Sequence, residues 1–381
     1  MKLKFGMVGG GNDAFIGNVH RIGAQMDNLS VLKAGCFSRN FEKNTETAVE
    51  WGVDDSDRIY PDYKTMADRE SVREDGIDFV IIATPNDTHY PIAKYFLEKG
   101  INVVCDKPLA INTKDGEELA RLAKEKDLLF GITYTYTGYA MIKQARDMIE
   151  RGEIGNIMTV MAEYPQEWLI VQMVSDRSDQ ATWRMDPARS GPSGCCADIG
   201  THVECLISKM TGLKMKKVLT KFERLPNESS LPLENNVQIL AEFDNGASGM
   251  IWTSQVAIGH ETDLSIRIFG DKGAIEWQHR APAELKVTKI NEPPQLYTPT
   301  RDYDSIGCRR LSRLPSGHPE GFFEAFGNIY RGYCSALLNK KYDAHCETFD
   351  FPTVEDGLFG LKFVDACIES DQKGNIWVEI E

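Results

Sequence analysis

The stretch "LKFGMVGGGNDAFIGNVHR", residues 3–21, decides how the first third of the chain is read. An apolar run ends in Gly9, Gly10 and Gly11, and a helical pattern opens at Phe15. Glycines at such a junction let the backbone approach a pyrophosphate, whose charge is favoured by the N-terminus of the following helix. Read strictly, Gly9-x-Gly11-x-x-Ala14 fits the dinucleotide fingerprint; read with a longer loop, Gly17 is the third glycine. Both readings put a nucleotide beside Gly9, Gly11, Phe15 and Ile16.

Outward from this loop, "VLKAGCFS" (31–38), "DFVIIAT" (78–84), "INVVC" (101–105) and "LLFGIT" (128–133) are strand-like and largely apolar. Helical stretches at 41–51, 88–99 and 113–126 separate them. Buried strands alternating with helices predict a parallel sheet covered on both faces, a doubly wound domain over residues 1–135. The pattern then changes. A helix at 139–151 leads to "IMTVMAEY" (157–164) and, further on, to closely spaced alternating segments at 217–224, 236–243, 247–256, 263–270, 274–278 and 284–289. Turn sequences such as Asp244-Asn245-Gly246 join them. The fold class expected is α/β: an N-terminal doubly wound sheet plus a C-terminal α+β domain, 136–381, with a mostly antiparallel open sheet. Helices near 199–211 and 320–338 are expected on one face of that sheet. The final helix and strand are free to pack back on the first domain, and the Pro-rich 291–300 reads as an ordered surface excursion.

Composition narrows the function. A formal net charge of −14 and a pI near 5.1 argue against a nucleic-acid partner. No stretch approaches the roughly 20 apolar residues that span a bilayer, and the start shows no long apolar signal region. Nine cysteines, an odd number with no C-x-x-C pair, suggest reduced thiols and a cytoplasmic setting. Cys195 and Cys196 are adjacent, which suits neither an ordinary disulfide nor zinc. No His/Cys/Asp group has metal-ligand spacing. At the end of the second strand, Phe37-Ser38-Arg39-Asn40 lacks the acid that commonly binds the ribose of NAD. Ser38 and Arg39 suit a 2′-phosphate, which tilts the expectation slightly toward NADP with NAD left open.

Three further stretches carry a resemblance: "ATPNDTHYPIA" (83–93), "CDKPL" (105–109) and "GCCADIGTHVECL" (194–206). In this order, and with "WRMDPARSGPSG" at 183–194, the chain resembles the Gfo/Idh/MocA family of glucose–fructose oxidoreductases and inositol dehydrogenases. The long glycine loop and "GHPEGFFEAFGNIY" (317–330) resemble members acting on sugars, glycosides and cyclitols, levoglucosan dehydrogenases and glucoside C3 dehydrogenases among them. The resemblance implies a Rossmann first domain and a catalytic set of Lys107, Asp198 and His202. It implies cofactor contacts from Thr84, Pro85, Asn86, His89, Asp106, Lys107, Trp183 and Arg184. The catalytic three would also touch the substrate; on residue chemistry, Tyr136 and Gln166 offer contacts to a pyranose or else belong to the core, and His318 reaches the cleft or else starts a helix. Two departures stand out. Asp106 occupies the place of the family's usual glutamate, and "TYTYTGYAM" (133–141) replaces an arginine-containing motif.

On residue chemistry alone, Asp198 and His202 share one helix face, and an imidazole suits proton transfer near neutral pH. The same pair reads equally as an N-cap acid and a satisfied helix histidine. His202 is expected to act as base, Lys107 as a cationic donor to the reacting hydroxyl, and Asp198 as an orienting group. Pro108 restricts Lys107 to extended geometry at the strand tip. The expected function is NAD(P)-dependent oxidation of a secondary hydroxyl, C3 included, of a sugar, glycoside or cyclitol, or the reverse. Alternatives are a glycosidase that oxidises transiently through bound NAD, and a non-catalytic NAD(P)-binding regulator. Mixed apolar and polar positions around Gln238, Leu240, Met250 and Trp252 predict a homo-oligomer through the second sheet.

Overall fold

The computed structural model describes residues 2–12, 14–175, 184–226, 231–347 and 349–381. The chain divides into two compact units: Met1–Gly138 with Phe322–Leu358, and Tyr139–Gly321 with Phe359–Glu381.

The first unit runs β1 (Leu3–Gly9), α1 (Phe15–Gln25), β2 (Ser30–Cys36), α2 (Phe41–Glu50), α3 (Tyr63–Glu70), β3 (Phe79–Ala83), α4 (His89–Glu98), β4 (Asn102–Cys105), α5 (Thr113–Glu125) and β5 (Phe130–Ile132). The strands form a parallel sheet in the order β2-β1-β3-β4-β5. Every residue of β3, Phe-Val-Ile-Ile-Ala, is buried, as helices on both faces require. Side-chain caps start the outer helices: Asn40 accepts from the Glu42 and Lys43 amides, Asp62 from Thr65 and Asn112 from Asp115. The short, polar α3 escaped the sequence reading because only Met66 and Ala67 among its apolar residues are buried.

The second unit begins with α6 (Ala140–Glu150), β6 (Ile157–Pro165) and α7 (Trp168–Ser175). A π-helical turn, Cys196–Gly200, runs into α8 (Thr201–Thr211). There follow β7 (Met215–Glu223), β8 (Asn236–Phe243), β9 (Ser248–Ser254), β10 (Ser265–Gly270), β11 (Gly273–Gln278), β12 (Leu285–Lys289), β13 (Gln295–Tyr297) and α9 (Ile306–Leu311). The chain closes with α10 (Phe322–Tyr342), α11 (Val354–Gln372) and β14 (Val378–Glu379). The second sheet runs β13-β12-β11-β10-β6-β9-β8-β7-β14, antiparallel except where β6 pairs with β9. Its inner face buries Val160, Val218, Ile239, Ile251, Ile266 and Ile275.

Two placements correct the sequence reading, and a third adds to it. The helix expected near 320–338 on the second sheet belongs to the first unit. As α10 it lays Phe326, Tyr330, Tyr333 and Leu337 into the first unit's core, beside Phe5 and Phe79. Helical periodicity defines an apolar face without naming what that face will meet. The last strand, left free to return to the first domain, pairs with β7 instead. Asn375 and Ser370 bond the Thr220 backbone beside it, which ties down that sheet edge. The excursion at 291–300 contains β13, an edge strand beside Pro293 and Pro294, where missing amide donors cost least.

His20 joins α1 to α10 inside the first unit. Its Nδ1 lies 2.6 Å from the Tyr330 hydroxyl and its ring meets Phe326 edge-on. Full burial pushes its pKa down to about 4, against an upward pull from Asp106. The unfolded chain takes up this proton near pH 6.5, the folded chain only near 4, so stability falls as pH drops through that window. The loss amounts to about 3 kcal/mol. Urea unfolding from pH 7 to 4 should show this slope, and His20→Gln, which cannot titrate, should flatten it. An unchanged slope in the variant would assign the acid sensitivity to other groups.

Candidate functional site

In the first unit the chemistry-bearing residues gather at the carboxyl ends of the parallel strands. The order β2-β1-β3 reverses direction at β1, which makes the ends of β1 and β3 the switch point where such sheets bind ligands. Gly9 and Gly10 adopt positive φ of 77° and 67°. A Cβ on Gly17 would stand 1.7 Å from the Gly10 carbonyl oxygen. The longer-loop reading is therefore the one that folds, with Gly17 rather than Ala14 as the close-packing third position. Gly11 contributes its carbonyl, which accepts the Ala14 amide at 2.7 Å. The start of α1 has no side-chain cap and no acidic residue in its first turn, which suits a pyrophosphate. Phe15 is exposed and Ile16 half-buried there.

After β2, the Ser38 hydroxyl accepts the Asn40 amide at 3.1 Å and Arg39 is exposed. Thr84, Pro85 and Asn86 form the half-buried loop after β3. A helix start on the surface, the alternative for this residue, does not hold: His89 is fully buried with Nδ1 2.7 Å from the Pro108 carbonyl and Nε2 2.9 Å from the Thr84 carbonyl. Its ring ties the loop after β3 to the loop after β4.

That second loop carries Lys107, which is half-buried and joined to Pro108 by a cis peptide. The Asp106 carboxylate accepts the Lys107 amide at 2.9 Å and the Thr133 hydroxyl at 3.0 Å, and the Asp106 amide donates to Ile82 at 2.9 Å. The aspartate thus shapes the loop through backbone and neighbouring-strand bonds. Tyr136 is buried in the 3₁₀ turn Thr135–Gly138.

In the second unit Asp198 lies in the π-helical turn and His202 in the first turn of α8. Asp198 is half-buried and accepts a hydrogen bond from Gln255 Nε2 at 2.8 Å on Oδ2. His202 is 7% exposed, with the Tyr164 ring edge-on at 6.4 Å. π-Helical turns recur at functional sites because the extra residue re-aims neighbouring side chains. Gln166 lies beyond β6 beside Gln255, which follows the parallel neighbour β9. The Gln166 amide donates to Ser254, and its carbonyl accepts from Ala257.

Arg184 stacks over the Trp168 ring at 5.7 Å, and Trp183 lies outside the described residues. His318 sits in an exposed turn with Nδ1 against the Pro315 carbonyl. Cys195 and Cys196 are fully buried; burial holds the Cys195 thiol well above the usual range, and hydrogen bonding with Cys367 together with burial does so for Cys196. Gln255 escaped the sequence reading, since it meets Asp198 across 57 residues and belongs to no local pattern. Among the described residues no group of His, Cys, Asp and Glu is arranged to hold a metal, and no helix is long and apolar enough to cross a membrane.

Residues 3–134 match the oxidoreductase family with an NAD-binding Rossmann fold, and residues 142–276 match the GFO/IDH/MocA C-terminal domain. The chain belongs to the GFO/IDH/MocA oxidoreductases. An uncharacterised oxidoreductase of Bacillus subtilis is 37% identical, over 100% of this chain and 97% of the relative. The crystal structure of an inositol dehydrogenase homologue from Azotobacter vinelandii, complexed with NAD+, superposes with a TM-score of 0.93 at 33% identity, covering 100% of this chain and 97% of that one. The same homologue has been solved with NADH and myo-inositol. Levoglucosan dehydrogenase of Pseudarthrobacter phenanthrenivorans is 25% identical over 99% of this chain and 98% of its own. The family makes this chain an NAD(P)-dependent dehydrogenase acting on a CH–OH group, and relatives act on sugars and inositols.

Proposed function

We propose that the protein oxidises a secondary ring hydroxyl of a cyclitol, sugar or glycoside, C3 of a pyranoside among them, and reduces the ketone in reverse. The observation that carries this reading is the Asp198–His202 segment, which presents a carboxylate held by Gln255 and an imidazole one helical turn further on. Bound NAD(P)+ supplies the hydride acceptor. The glycine loop, with positive φ at Gly9 and Gly10 and no room for a side chain at Gly17, fits its pyrophosphate. Lys107 donates a hydrogen bond to the reacting hydroxyl and favours its oxyanion character. His202 takes the proton, and Asp198 orients the sugar or the imidazole. The relatives at full length, one of them solved with myo-inositol, support a polyol substrate. A cytoplasmic setting fits cysteines that are buried apart from the half-buried Cys346 and form no disulfide among the described residues.

A screen of inositols, monosaccharides and glycosides with NAD and NADP, followed at the nicotinamide absorbance, tests the reading. Turnover with polyols supports it, and none with any ring alcohol or ketone overturns it. Lys107→Ala and His202→Ala should each lower kcat roughly a hundredfold while dinucleotide affinity survives. Wild-type turnover in either variant would remove that residue from the chemistry.

Ser38 and Arg39 at the end of β2 support acceptance of NADP beside NAD. Arg39→Ala should weaken NADP about tenfold or more and NAD little, because a charge-assisted phosphate contact is worth about 1.5–3 kcal/mol. Equal losses in both titrations would mark the arginine as a bystander.

The second sheet's outer face supports self-association. Leu219, Leu240, Met250 and Met161 sit in register across β7, β8, β9 and β6, with Leu240 43% and Met250 51% exposed. An apolar stripe of this kind is buried by pairing with a second copy. Light scattering at micromolar concentration should give a homo-oligomer that Met250→Lys dissociates. A monomeric wild type would rule it out.

A further inference from the structure

The helical segment that carries Asp198 and His202 begins in a buried place, and its first four amide donors need partners. Among Gly194 to Ala197, Glu234 or a residue it holds meets every one. The Gly194 amide lies 3.0 Å from both Glu234 carboxylate oxygens, and the Cys196 amide donates to Oε1 at 3.0 Å. The Cys195 amide donates to the Glu234 backbone carbonyl at 3.0 Å. The Ala197 amide reaches the Ser193 hydroxyl at 3.1 Å, and that hydroxyl donates to Glu234 Oε1 at 2.6 Å. Asp198 is the next residue, and its amide makes the segment's first internal bond, to Gly194 at 2.9 Å.

Two more observations fix the arrangement. Gly194 lies so close that a Cβ there would stand 2.5 Å from the Glu234 carbonyl oxygen. The Gln255 amide donates to Asn235, so the residue that bonds the Asp198 carboxylate is held beside the residue after Glu234. Glu234 as a whole is 2% exposed. Burial pushes its pKa up, while the Ser193 hydroxyl and the amides pull it back.

We infer that Glu234 is the positioning residue of the acid–base pair: its carboxylate fixes where the Asp198–His202 segment starts, and so where both side chains point. This rests on the proposed roles of Asp198 and His202. Glu234→Gln keeps the size; with its amide oxygen in the Oε1 place it sets an NH2 donor against the Gly194 amide where Oε2 accepted, and it removes the negative charge, which displaces the start of the segment.

The test compares wild type, Glu234→Gln and Ser193→Ala by thermal unfolding, NAD(H) titration, steady-state kinetics and nitrogen-resolved NMR titration of the His202 ring. The expected result for Glu234→Gln is a kcat at least tenfold lower with unchanged NAD(H) affinity, a displaced pH–rate profile and a displaced His202 titration. Ser193→Ala should move the same quantities less. A lowered melting temperature with wild-type kcat, pH profile and His202 titration would reduce Glu234 to a stabilising cap and overturn the inference. If Glu234→Gln fails to fold, Ser193→Ala decides by the same criteria. Should wild type turn over no polyol, a His202 titration displaced in the variants still supports the positioning role while the proposed reaction falls.

Discussion

A parallel sheet covered on both faces satisfies its backbone through the ladder and buries its side chains, so polar chemistry is confined to strand ends. The first unit follows from that constraint. β3 is wholly apolar, yet one residue past its end stands Thr84, whose carbonyl accepts from His89. β4 is wholly buried, yet Asp106 and Lys107 follow Cys105 at once. β1 ends where Gly9 and Gly10 turn through positive φ. The loops after β3 and β4 are also bonded to one another. His89 bridges Thr84 and Pro108, and Asp106 bridges Lys107 and Thr133, so the loop bearing the lysine is held from two neighbouring strand ends.

The second unit solves a different problem with a different sheet. Its strands alternate between buried and partly exposed residues, so only the inner face can anchor helices. The ends of β8 and β9 do this with polar groups. Glu234 and Asn235 precede β8, and Gln255 follows β9. The bond between the Gln255 amide and the Asn235 carbonyl makes these ends one structural edge. A buried carboxylate is tolerated there because its oxygens meet hydroxyl and amide donors.

Much of this was legible in the sequence. The apolar runs of β1 to β5 need burial on two sides, and the Asp-Lys-Pro tip and the Asp198-x-x-x-His202 spacing stand out against their surroundings. Three things were not legible, each for a physical reason. Whether Ala14 or Gly17 closes the loop depends on the distance between Gly10 and Gly17, which spacing does not encode. The partner of α10 was misjudged because Phe326, Tyr330 and Tyr333 describe a face equally able to cover either sheet. Glu234 lies 40 residues from Gly194 in a segment, Leu-Glu-Asn-Asn, with no pattern of its own. Contacts of that separation are set by topology, and only the fold reveals them.

Asp106 shows how a short acid at a strand tip is used. A shorter acid at the strand tip reaches less far, and here it is used close to home. One oxygen accepts the amide of the next residue and the hydroxyl of Thr133, while His20 stands 3.9 Å from that same oxygen. The Asp106 amide is taken by Ile82, so the residue is fixed through backbone and side chain together. Lys107 therefore leaves the sheet from a backbone already bonded at Asp106, and Pro108, whose carbonyl faces His89, bonds the other side. The backbone that carries Lys107 is thus held on both sides, by Asp106 before it and by the Pro108 carbonyl after it.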